Sequence, residues 1–221
     1  MAVWTIAAQA GTGGEELAAE LAAQAGARLL DRHALALIAH ELDPAFPLDH
    51  EVEARLGGRL SAFALSTAIS TGSIEAANEL QLRRTLPALG RAVLAEAART
   101  PCVIYAPAAF AALMDHPGAV HVRLHAPLEC RIATCQRKQL IDRKRAAKSV
   151  KHADHRTQAW VRTLYGVDID DARHFSVVLD VSRFPSQRLV EILLAAAGVH
   201  PSSEVAVQSA VNLSSTTTAE R

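Results

Sequence analysis

The chain has 221 residues, half of them apolar, with 23 Lys/Arg balanced by 23 Asp/Glu. That is enough to bury one sizeable core and predicts a single domain of roughly 200 residues. No run approaches the roughly 20 apolar residues of a membrane helix. The N-terminal stretch reads as a strand rather than a signal peptide. The three cysteines, Cys102, Cys130 and Cys135, fit reduced thiols better than a disulfide framework or a zinc pair, so a cytoplasmic protein is expected. Although the net charge is zero, the stretch from Arg123 to Arg162 carries 11 Lys/Arg against Glu129, Asp142 and Asp154, a local excess of 8 positive charges. Such a segment suits a polyanion, with a solvated helix face as the plainer reading.

In chain order, Val3–Ala8 is a short apolar run, followed by a glycine-rich turn at Gly11–Gly14. Helical spacing of Leu17, Leu21 and Ala25 predicts a helix from Glu15 to Gly26, with acids where the dipole favours them and glycine at the stop. Ala27–Leu30 reads as a second strand ending at Asp31-Arg32, and Ala34–Leu42 as helix. Glu51–Ala76 is irregular, and Leu80–Ala98 reads as a helix interrupted near Pro87. Pro101–Tyr105 is a strand, and Ala108–Met114 is helical. Ala119–His125 is a strand with His121, Arg123 and His125 on one face. Pro127–Ser149 begins a long basic helix that resumes after a break through Asp154–Leu164. Phe175–Asp180 is a last strand and Ser186–Ala197 a closing helix. This alternation predicts a parallel sheet flanked by helices. Residues 201–221, rich in Ser, Thr and Ala, are expected to be disordered.

A strand entering a glycine-rich turn and then a helix presents unpaired backbone N–H groups, which suit a phosphate. Gly11, Thr12, Gly13 and Gly14 are the candidate cradle; a tight ligand-free connection would also need small residues. Neither nucleotide motif is intact. As a dinucleotide turn the segment has Glu16 in place of the third glycine. As a P-loop it has Ala8 at the first glycine, Gly14 at the lysine and Glu15 at the Ser/Thr. His121 with His125, and His152 with His155, lack patterned carboxylates, so no metal site is expected. With few aromatics among the cations, DNA or RNA binding is not expected either.

Several segments taken together resemble the cytidylate-kinase-like family of P-loop nucleoside monophosphate kinase relatives. The matching stretches are Ile6–Leu17 (IAAQAGTGGEEL), Leu29–Asp31, Val103–Ala109 (VIYAPAA), His121–Arg131 (HVRLHAPLECR), Tyr165–Asp171 (YGVDIDD) and Val177–Ser182 (VVLDVS). The resemblance implies one α/β domain over residues 1–200, with a basic, helical, lid-like segment at about 131–165. It implies ATP with Mg²⁺ as phosphoryl donor and a CMP-like monophosphate as acceptor. The turn at 11–14 would hold the donor phosphates and Asp31 and Arg32 would lie on the acceptor side. Arg131, Arg156 and Arg162 would close over the phosphates, with Asp154 orienting a lid arginine.

The departures bear on activity. Ala8, Glu15, Pro107 and Thr157 stand where the family pattern has cations. Removing one well-placed electrostatic stabiliser can cost about 10²–10³ in rate. Two functions are therefore expected to compete: a nucleoside monophosphate kinase, and a catalytically silent relative serving as a regulatory or protein-interaction module. The missing cations lean toward silence.

Overall fold

The computed structural model describes residues 2–31, 34, 35, 38, 87, 88 and 90–199. The expected elements at 36–37, 39–86 and the tail from 201, together with Arg32, lie outside the described residues. Within them, β1 (Val3–Ala8) leads through the glycine turn into α1 (Gly14–Ala25) and then β2 (Arg28–Leu30). Helical residues 90–97, here α2, precede β3 (Cys102–Tyr105) and α3 (Ala109–Ala112). Then follow β4 (Ala119–His125), α4 (Leu128–Gln139), α5 (Arg143–Tyr165), a 3₁₀ turn at Ala172–His174, β5 (Val177–Asp180) and α6 (Ser186–Ala196).

All strand pairs are parallel, in the order β2-β3-β1-β4-β5. The strand preceding the glycine turn is thus central, and the turn opens at the sheet's carboxyl edge, where open α/β sheets bind ligands. Strand alternation divides the core. Trp4 and Ile6 of β1 and Val120, Val122 and Leu124 of β4 pack against Leu17 and Leu21 of α1 and Leu189, Leu193 and Leu194 of α6. The i, i+4 spacing of the helix residues makes that seam, and the Trp4 indole closes it by donating to the Leu193 carbonyl at 2.9 Å. On the opposite face Val3, Cys102 and Ile104 meet Leu94 and Ala97 of α2, while Ala7 joins Phe110, Val161 and Ile169. Burial on this face pushes the Cys102 thiol up to about 11, which makes it a poor nucleophile.

Two boundaries differ from the sequence reading in an informative way. The basic helix breaks at residues 140–142, not after Ser149: Leu140 caps α4 with φ +53, and Asp142 caps α5 by accepting the Arg145 N–H at 2.9 Å. A leucine carries no preference for left-handed backbone, so periodicity ran through the break. The strand expected from Phe175 starts at Val177 because Phe175 packs on Phe110, with ring centroids 4.5 Å apart.

Candidate nucleotide site

After Ala8 the chain turns through Gln9–Gly13 into α1. Thr12 folds back, giving its N–H and hydroxyl to the Gln9 carbonyl at 3.3 and 2.8 Å. Gly13 has φ +75 and forms the N-cap of α1 with no side chain to cap it. The N–H groups of Gly13, Gly14 and Glu15 have no acceptor among the described residues. They point the positive end of α1 at whatever occupies the site. Above them lies a cavity of about 220 Å³, roofed by Cys135, Lys138 and Gln139 of α4 and Ser149, Val150 and Ala153 of α5.

Packing fixes two of the glycines. Gly11 has φ +83, and a Cβ there would stand 2.5 Å from the Arg131 carbonyl oxygen. A Cβ on Gly14 would stand 2.6 Å from the Ala8 Cβ and 3.2 Å from the Tyr105 ring. The position a P-loop gives to lysine is therefore closed by the core, and no side chain fits without moving β1.

Arg131 is 7 % exposed and is spent on the turn itself. Its Nε donates to the Ala126 carbonyl at 3.1 Å and its Nη1 to the Ala10 carbonyl at 3.1 Å. The same Nη1 meets Asp154 Oδ2 at 2.5 Å, and Asp154 Oδ1 accepts the Ala10 N–H at 2.9 Å. One ion pair, with Arg131 on α4 and Asp154 on α5, thus holds both polar groups of a single turn residue. A buried charge needs such a partner set. Its guanidinium braces the cradle by side-chain bonds that a phosphate would have to compete for.

The remaining candidates are dispersed. Arg156 is exposed on α5, and Arg162, also exposed, pairs with Asp168 at 3.0 Å; neither lines the cavity over the turn. Asp31 follows β2 at the sheet edge and its carboxylate caps the next segment, accepting the Ala34 N–H at 2.9 Å. Several cations of the basic segment are paired: Arg143 with Glu129 and Arg145 with Asp142 inside it, and Lys138 with Glu16 outside it. The hydrogen bond from Lys138 holds the Glu16 carboxyl below its usual range. Among the described residues, the structure brings together Gly11–Gly14, Arg131 and Asp154, and leaves Asp31, Arg156 and Arg162 apart from them.

A second cavity, of about 180 Å³, lies beyond Gln9, and no sequence motif marks it. It contains Arg123, which is 8 % exposed and donates to the Ala7 carbonyl at 3.4 Å and to Asp170 Oδ1 at 2.7 Å. Gln158 donates to the other Asp170 oxygen at 3.2 Å. Strand alternation signalled that Arg123 shares a face with His121, but its partner is 47 residues away. His121 lies against Thr5, its Nδ1 2.8 Å from the hydroxyl, and burial lowers its pKa. Among the described residues no three His, Cys, Asp or Glu side chains group as a metal set, and no helix is long and apolar enough to cross a membrane.

No curated protein matches the chain. Among solved structures, an uncharacterized protein from Eubacterium ventriosum ATCC 27560 superposes with TM-score 0.63 at 14 % identity, covering 89 % of this chain and 98 % of that one. Shikimate kinase from Bacteroides thetaiotaomicron superposes with TM-score 0.50 at 12 % identity, covering 90 % and 99 %. At these identities the likeness is one of fold, the P-loop kinase arrangement of a parallel sheet with the glycine turn after its central strand. The family model described as "Cytidylate kinase-like family" matches residues 3–183, which spans both the glycine turn and the Arg131–Asp154 clip. With that match and that topology in agreement, the chain belongs to the cytidylate kinase-like family.

Proposed function

We propose that this chain binds a nucleoside phosphate, ATP or a CMP-like monophosphate, at the Gly11–Gly14 turn, and that its phosphoryl transfer is severely weakened or silent. In this reading it works in the cytoplasm as a nucleotide-responsive regulatory or protein-interaction module. The observation that carries it is the Arg131–Asp154 clip: the best-buried cation beside the turn is committed to the Ala10 peptide groups. Backbone amides at a helix start suffice to bind an anion. Phosphoryl transfer also needs positive charge around the moving group, and here the exposed Glu15 and the Lys138–Glu16 pair leave little of it. Mg²⁺ is usually held by one or two carboxylates plus the phosphates themselves. Glu15, which lines the cavity, is the residue fitted to share it. The ion would neutralise phosphate charge there.

One observation favours the active kinase as a second reading: Lys138 already lines the cavity and needs only to leave Glu16 to meet a phosphate. The deciding assay follows ADP formation by purified protein with Mg²⁺-ATP and each monophosphate, alongside thermal stabilisation. Millimolar ATP or CMP is expected to raise the melting temperature without turnover. Turnover with CMP at about 1–100 s⁻¹ would sink the silent reading, and no shift with either nucleotide would sink nucleotide binding.

A further inference from the structure

We infer that the cavity around Arg123 is a second oxyanion site, suited to a phosphate monoester or free phosphate, and that Asp170 occupies it as an internal, displaceable substitute. The inference goes beyond occupancy of the glycine turn, whose own cavity adjoins this one through Ala8 and Gln9. Arg123 projects from β4 beneath α5, and its side chain is 9 % exposed, whereas the Asp170 side chain opposite it is 51 % exposed. A guanidinium so deeply placed requires an anion, because leaving it unpaired in the interior is strongly unfavourable. The anion now present comes from the segment between α5 and the 3₁₀ turn, and it can swing into solvent with its charge rehydrated.

The surrounding chemistry is that of an oxyanion pocket. Gln158 already donates to the carboxylate at 3.2 Å, so two donors converge on one anion, as they would on two oxygens of a phosphate. Gln9, Thr157 and His155 line the same space and add further hydrogen-bonding groups. The other acid in the lining, Asp154, is neutralised by Arg131 and engaged by the Ala10 N–H, so it opposes an incoming anion only weakly. Ile169, 1 % exposed next to Asp170, anchors the segment in the cluster of Phe110 and Val161. Release of Asp170 is therefore a side-chain rotation and leaves the core in place.

The test compares wild type with Asp170→Asn, using inorganic phosphate and CMP as probes by calorimetry and thermal shift. The amide keeps the size of the carboxylate and removes its charge. Asp170→Asn is expected to bind phosphate about five- to tenfold more tightly than wild type, since a partly exposed ion pair no longer competes. Its melting temperature should be lower than wild type in phosphate-free buffer and recover with phosphate. A gain for CMP exceeding that for phosphate assigns the site to the ester, and equal gains assign it to the free ion. Gly13→Asp separates the two sites by placing a carboxylate on the turn, at a backbone position Asp tolerates. The gain should persist in the Gly13→Asp, Asp170→Asn double variant. An unchanged phosphate affinity in Asp170→Asn, or a gain that vanishes with Gly13→Asp, overturns the inference. An ATP-induced shift that survives Gly13→Asp would instead count against the turn.

Discussion

The site holds two buried arginines that differ in who can leave them. Arg131 and Arg123 are 7 % and 8 % exposed, and each donates to a backbone carbonyl at the end of β1 or just beyond it, Ala10 and Ala7 respectively. Each is neutralised by an aspartate from later in the chain, Asp154 or Asp170. Asp154 sits mid-helix and is also bound by the Ala10 N–H, so its departure would undo the turn. Asp170 sits between elements, half exposed, with Gln158 as the partner of its second oxygen. The first pair is part of the scaffold and the second is an exchangeable contact. Burial of a cation alone therefore does not assign it to catalysis; the partner's own commitments decide.

The largest expected effect breaks the scaffold pair. Arg131→Met leaves a partly buried Asp154 carboxylate without its cation and the Ala10 carbonyl without its donor. Removing one partner of a buried pair costs about 3 kcal/mol or more, a fall in melting temperature of about 6–12 °C for a domain of this size. Nucleotide affinity should fall with it because the turn loses its brace. Arg131→Lys should recover only part of the loss, since an ammonium lacks the guanidinium fork that reaches two carbonyls and a carboxylate. A melting temperature unchanged by Arg131→Met would show that the clip is incidental.

Next in size is the closed lysine position. Gly14→Ala puts a methyl group 2.6 Å from Ala8 Cβ, and overpacking of this kind costs about 1–3 kcal/mol. Gly14→Lys should be no better, and it should not raise ATP affinity, because the strain displaces the turn whose amides bind. Urea denaturation and ATP titration of both variants check this. A Gly14→Lys variant that is stable and binds ATP more tightly would mean that β1 yields more readily than its packing implies.

The fold was legible because its signals are local. Alternation placed β4 at Ala119–His125, and the glycine at 26, with φ +60, ended α1 as read. The glycine turn and the segment ending at Arg131 were legible as a family pattern. The bonds that define the site were not, because they join side chains to backbone across long separations. Arg131 reaches Ala10 over 121 residues, and nothing in the composition of either segment encodes that reach. The break at 140–142 was half legible: Asp142 before a basic run is an ordinary N-cap signal, but a left-handed leucine has none. Alternation puts Arg123 on a face with His121 but does not mark it as a site residue, since its counter-ion lies in a turn with no periodicity.

A smaller effect probes the same face of β4. Burial lowers the pKa of His121, so the folded state favours the neutral ring while the unfolded chain takes up a proton near the ordinary value of 6.5. The contribution is present above pH 6.5 and is lost as pH falls through the folded value. Stability should therefore decline from about pH 6.5 downward. His121→Gln keeps a hydrogen-bonding group for Thr5 and should flatten this part of the curve. An identical pH profile in the variant would assign the decline to other groups.

The smallest effect on stability is expected at Lys138 and Glu16, yet it bears most directly on activity. Both side chains are exposed, so the pair is worth no more than about 0.5 kcal/mol. The Glu16 carboxyl is held below its ordinary 4.5 chiefly by the Lys138 hydrogen bond. This small contribution is thus complete above about pH 4.5 and fades as acid protonates the folded carboxyl. Glu16→Gln should leave the melting temperature within about 1–2 °C of wild type. It also frees Lys138 over the turn and removes one negative charge from the cavity wall, so ATP affinity should rise about threefold, about 0.65 kcal/mol. If measurable transfer to CMP appears only in Glu16→Gln, then pairing of the lid cation, more than the missing charge at Ala8, Glu15 and Pro107, is what quiets the site. If affinity rises and transfer does not, the missing charge at Ala8, Glu15 and Pro107 is limiting, and Lys138 contributes binding alone.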